Sequence, residues 1–196
     1  MWNFKFWRST PSRKSFDLDI FAAKTLLAQA ILREHFDYLE DDLVHVNVLP
    51  LTLYNKLKLK DDDDVDVASP VSWNQKRDFI VVFDEWIDKC SPNELAYSLG
   101  FAYWARHFNI KQTKTRDQVV NQIAANIRYE IDYNGHNAFS KNNHSGVLAQ
   151  HREYMNQYRN LIKFEDVAKM SFNALYKKLI EKKDELYKIK YPEISE

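Results

Sequence analysis

Glycine and cysteine are scarce in this chain. Three glycines occur in 196 residues, Gly100, Gly135 and Gly146, and they stand far apart. A phosphate-cradling loop and a dinucleotide fingerprint both need closely spaced glycines where backbone approaches phosphate, so nucleotide enzymes of those two kinds are not expected. The single cysteine, Cys90, excludes an intrachain disulfide and any zinc site needing two or four thiolates. No run approaches the roughly 18 continuous apolar residues of a membrane-crossing helix, so no membrane partner is expected. Neither sign of charge is in excess: 28 basic and 28 acidic residues leave a formal net charge of zero. That balance argues against a dedicated nucleic-acid binder. Arg8, Arg13 and Lys14 interrupt the N-terminal region and no small-residue cleavage pattern follows an apolar run. A secretory signal is therefore not expected, and the expected location is cytoplasmic or inside an assembly built there.

Aromatic residues are the excess. Five Trp, eleven Tyr and twelve Phe make up 28 of 196 residues. Hydrophobic residues are 45% and charged residues 29%, enough apolar material for a real core in one domain with extensions.

Residues 1–16 form a basic-aromatic arm. Trp2, Phe4 and Phe6 alternate with polar residues, followed by Trp7 and Arg8. Period two reads as an extended strand with one apolar face, broken by Ser9-Thr10-Pro11-Ser12. Trp2, Phe4, Phe6, Trp7 and Arg8 are the candidate partner-binding residues. Other protein subunits are the expected partners, in an oligomer or a larger assembly. The alternatives are that the arm packs on the chain's own core or touches a membrane surface.

The pattern over 17–40 predicts a helix capped by Asp17, with Leu18, Phe21, Ala22, Leu26, Ala30 and Leu27, Ile31 at helical spacing. Leu43–Leu49 is rich in β-branched residues and stops at Pro50, which predicts a strand. Leu51–Lys60 fits either a short helix or a strand. Asp61–Asp64 reads as a surface turn; the acidic run Asp61–Asp66 lacks the glycine and the glutamate of a calcium loop. Val65–Trp73 predicts a strand placed at an edge by Pro70. Asp78–Phe83 is the clearest strand, short and apolar. Asp84, Glu85 and Asp88 behind it read as an exposed loop, or as an acid–base or metal position.

Ser91-Pro92-Asn93-Glu94 is a capping box with proline in the first turn, opening a helix to about His107. Thr115-Arg116-Asp117-Gln118 opens another, to about Tyr133. Asn134–Ser145 is a loop, Val147–Leu161 a third helix, and Phe164–Lys190 a last one ended by Pro192. The expected fold class is α+β: an N-terminal helix, a small sheet of about three strands, and a mainly helical C-terminal half. Residues 17–162 are expected to form one α+β domain, and 163–196 a helix packing on it or on a partner.

This order of elements resembles the small zincin-like metallopeptidase domain, in which an apolar strand precedes a capped helix carrying His-Glu-x-x-His. There the helical spacing puts two histidines on one face to hold zinc and the glutamate acts as base. The resemblance sets Asp78–Phe83 against the strand and Ser91–Ala105 against the helix. It places the first ligand on Phe101, the base on Ala102 and the second ligand on Ala105. None can bind a metal or move a proton, so the resemblance implies a fold without that activity and without a cofactor. His151-Arg152-Glu153-Tyr154 is the nearest counterpart to the family's third ligand.

Two chemical alternatives remain on residue type. His136, His144 and His151, with Glu153, could supply a three-histidine metal site for a hydrolase, although their spacing matches no metal motif. Cys90 precedes a helix start, where a thiol pKa can fall, and would need a base within reach. The expectation is a non-catalytic structural or interaction protein. Its Asn-, Lys-, Tyr- and Phe-rich usage suggests a phage virion or assembly component. The alternatives are the metal-dependent hydrolase and a nucleic-acid-associated factor using Arg8, Arg13, Lys14 and the lysine-rich last helix.

Overall fold

Asp17 starts the first helix as its side chain dictates. Its carboxylate accepts hydrogen bonds from the Asp19 and Ile20 amides at 2.9 and 3.2 Å, covering two of the donors every helix leaves open. This computed structural model describes residues 17–57, 70–110, 116–133 and 146–190, with the side chains of 116–118 and 146–152 left outside the description. The N-terminal arm, the acidic run Asp61–Asp66 and the loop Asn134–Ser145 lie outside the described residues.

The fold is α+β, with an N-terminal helix, a small three-stranded sheet among the described residues, and a mainly helical C-terminal half, as expected. Contacts divide the chain into two compact units, Met1–Ala102 and Tyr103–Glu196.

In the first unit α1 spans Leu18–His35, followed by a 3-10 turn Asp37–Leu39 and α2, Glu40–His45. The strand expected from Leu43 is therefore shorter. Leu43, Val44 and His45 belong to α2, and β1 is Asn47–Pro50. Glu40, Asp41 and Asp42 explain the difference: three acids in a first turn favour a helix N-terminus, whose dipole they complement. Leu51–Lys56, ambiguous in sequence, is helix α3.

Strands β2, Val71–Asn74, and β3, Phe79–Val82, form an antiparallel hairpin, and β3 pairs in parallel with β1. The order β1-β3-β2 makes the apolar strand central. Ile80, Val81 and Val82 are all buried, so both faces of β3 are covered, which is why its sequence runs apolar instead of alternating. Pro70 sits just before edge strand β2, and its carbonyl accepts from the Phe83 amide at 2.9 Å. In the hairpin, Asp78 takes a left-handed φ of 57°, which Asp tolerates better than most residues, and its carboxylate accepts from the Trp73 indole at 3.1 Å.

Helix α4, Asp84–Ile87, leads to α5, Pro92–His107. The capping box forms as expected: the Ser91 amide donates to Glu94 Oε2 at 2.8 Å and the Glu94 amide to Ser91 Oγ at 3.2 Å.

In the second unit α6 covers Arg116–Tyr133 and α7 Gly146–Leu161. The expected last helix is three: α8 Phe164–Val167, α9 Phe172–Ile180 and α10 Lys183–Lys190. Ser171 causes one break by capping α9, its hydroxyl accepting from the Ala174 amide at 3.3 Å. Arg128 supports that break by donating to the carbonyls of Ala168 and Met170 at 2.8 and 3.0 Å, groups that a continuous helix would have used internally. The bends let Val167, Leu175, Leu179 and Leu186 share one core with Val120, Ile123 and Ile127 of α6 and Met155 and Tyr158 of α7. The segment from Phe164 thus packs on its own unit.

Candidate functional site

Each chemical candidate was placed by sequence on residue type, and the structure gives its surroundings. Cys90 is buried, and its thiol donates to the Ile87 carbonyl at 3.7 Å. Burial pushes its pKa up to about 12; nearby Lys24 lowers it, and Glu94 and Asp88 add to the rise. The activated thiol that a helix start can produce is not found at Cys90. Desolvation outweighs the helix N-terminus, and Cys90 stays protonated near neutral pH.

Of the acids behind β3, Glu85 and Asp88 are exposed and Asp84 has a structural role. Asp84 is half-buried rather than in an exposed loop, and its carboxylate accepts from the Thr52 amide at 3.3 and 3.2 Å and from the Thr52 hydroxyl. It takes up one open N-terminal amide of α3 from a distant part of the chain. Lys24 mirrors this at the other end of a helix. Its ammonium donates to the Ile87 and Cys90 carbonyls at 2.5 and 3.1 Å, at the C-terminus of α4.

Of the histidine candidates, His136 and His144 lie outside the described residues. His151 lies on α7, its side chain outside the description. Glu153 is exposed and accepts from Gln157 at 3.3 Å, an ordinary bond between successive turns. Among the described residues no group of three or more His, Cys, Asp or Glu side chains is placed to hold a metal ion. Among the positions singled out by the zincin-like resemblance, Phe101 is half-buried, and Ala102 and Ala105 are buried.

No family model, no curated protein and no solved structure matches this chain significantly. No described helix is long and apolar enough to cross a membrane.

Among the described residues most aromatic side chains are core. In α5, Tyr97, Tyr103 and Trp104 are buried. Trp104 meets Phe108, Tyr129 and Phe172 at ring separations of 4.7, 6.2 and 6.3 Å.

Four of the exposed large apolar side chains are on α1. The residues α1 buries are Phe21, Thr25, Ala28 and Leu32. Leu26 and Leu27, two of the apolar residues at helical spacing, are 63% and 55% exposed, and Leu18 and Ile20 are also exposed. Between Asp19 and Arg33 the one charged side chain is Lys24, so the helix is apolar nearly all round. Periodicity alone could not choose the buried side of such a helix. Lys24 was the available signal, because its bonds to the Ile87 and Cys90 carbonyls orient the helix.

Proposed function

We propose that this chain is a non-catalytic interaction protein: a subunit or assembly component of a larger particle, of the phage-virion kind that its composition suggests. The outer face of α1 carries this reading. It presents Leu26 and Leu27, with Ala22, Ala23 and Ala30 around them, all exposed. Two adjacent leucines on a helix face surrounded by small side chains are costly in water and effective against another protein. The arm bearing Trp2, Phe4, Phe6, Trp7 and Arg8 joins directly to this helix and would extend the same contact. A peptidase-like layout with carbon side chains at Phe101, Ala102 and Ala105 accords with a scaffold that binds without reacting.

The test follows the chain in the cells that make it. The chain should sediment in a complex larger than itself. Removing residues 2–8, or changing Leu27→Asp, should release it while circular dichroism stays unchanged. A complex that survives both changes, or a chain that sediments alone, would overturn the reading.

A further inference from the structure

We propose that the outer face of α1 is self-complementary and pairs with α1 of a second copy, antiparallel, about a two-fold axis at Leu26. This rests on the interaction reading and names its partner.

The argument is in the spacing. Asp19, Ala22, Leu26, Ala30 and Arg33 are separated by 3, 4, 4 and 3 residues, and all five are exposed. That spacing keeps them on one side of a helix. It also reads the same in both directions from Leu26. Ala22 and Ala30 lie four residues either side of it, and Asp19 and Arg33 seven either side. An isologous interface requires such symmetry, because each patch must fit its own copy turned over. In the antiparallel pair Leu26 meets the second copy's Leu26. Ala22 meets Ala30, which lets the helix axes approach to about 8 Å. Asp19 meets Arg33, so each end of the seam, about 21 Å apart along the helix, has an opposite charge across it.

A parallel pairing would instead set Asp19 against Asp19 and Arg33 against Arg33. The charges therefore select the antiparallel direction. Arg33 already bonds Glu40 of its own chain, with Nε 2.9 Å from Oε2. A guanidinium has five N–H donors, so it can keep that bond and take a second carboxylate. The patch is small. A single helix pair of this length buries less than the roughly 1,200 Å² of a stable interface, so the dimer should be weak.

The test is sedimentation velocity on the full chain between about 1 and 300 µM, with cross-linking beside it. Leu26→Asp should abolish the dimer. Asp19→Arg should weaken it about tenfold, and Asp19→Arg combined with Arg33→Asp should restore it. The native thiol, Cys90, is buried. Leu26→Cys should therefore form a covalent dimer under mild oxidation, whereas Leu57→Cys, also exposed on the same unit, should not.

A wild-type chain that is monomeric throughout, or a dimer indifferent to Leu26→Asp, would overturn the proposal. If the chain is monomeric and the Leu26→Cys thiol alkylates slowly until residues 2–8 are removed, the chain's own arm covers the face instead. If it alkylates fast while the native complex still depends on Leu27, the interaction reading survives with a different protein as partner. Loss of the native complex as well would sink both.

Discussion

The Asn74 carboxamide donates to the Tyr54 hydroxyl at 2.9 Å, and neither residue is exposed to solvent. The other end of the same amide accepts from the Lys76 and Arg77 backbone amides at 3.1 and 3.0 Å, so one buried side chain shapes the β2–β3 hairpin and ties it to α3. A buried polar group so fully bonded is costly to disturb from either side. Tyr54→Phe should destabilise the protein by about 1–3 kcal/mol by leaving the Asn74 amide unsatisfied. In chemical denaturation, Tyr54→Phe with Asn74→Ala should cost less than the two single changes added together. Full additivity would show that the bond carries no coupling.

The capping box at Ser91 and Glu94 should behave as a pair. Ser91→Ala or Glu94→Ala should each cost about 1 kcal/mol, read as a shifted denaturation midpoint with unchanged slope. An unshifted midpoint for both would mean that α5 is held by packing alone.

Arg128 joins α6 to the turn between α8 and α9 through the Ala168 and Met170 carbonyls, while Asp132 one turn on receives its remaining donors. Arg128→Met keeps the apolar stem but strands those carbonyls, and should destabilise by about 2–3 kcal/mol. Arg128→Lys should recover part of this, because an ammonium lacks the planar fork. Equal loss in both variants would show that the fork itself is required.

Alkaline pH should weaken the fold. Burial raises the Cys90 pKa from an ordinary value of 9.0 to about 12, and burial likewise raises that of Tyr133. The unfolded chain then loses these protons first as pH rises. Their contribution is full below about pH 9 for Cys90 and is lost as pH climbs towards 12. Denaturation at successive pH values should show stability falling through that window, less steeply in Cys90→Ala. An identical slope in that variant would remove the thiol from the account.

Metal content decides the histidine alternative. Purified, untagged protein should carry no stoichiometric transition metal. One metal per chain, lost in His144→Ala, would establish a site built from His136, His144, His151 and Glu153 and would displace the non-catalytic reading.

Much of the fold was legible because its signals are local. Asp17, Ser91 with Glu94, and the run Ile80-Val81-Val82 each announce an element with their own side chains, and each forms where the sequence placed it. Two misreadings arose where local signals competed. The β-branched stretch after Asp42 reads as strand, yet the three acids before it start a helix that takes in Leu43, Val44 and His45. Helical periodicity continues from Phe164 to Lys190, yet Ser171 caps a new helix there and Arg128, 40 residues away from Ala168, supports the break.

The sequence by itself determined the type of most helix and strand segments, where most begin, and that a single cysteine leaves no intrachain disulfide. Those follow from spacing, caps and residue counts, which act over a few residues. Tertiary structure alone decided which way α1 faces, that Cys90 is desolvated, and that Asp84 serves α3. A helix apolar on every side has no preferred face until something packs against it. A thiol or carboxylate has no settled chemistry until the chain brings its neighbours from 32 or 66 residues away, as Thr52 is brought to Asp84 and Lys24 to Cys90.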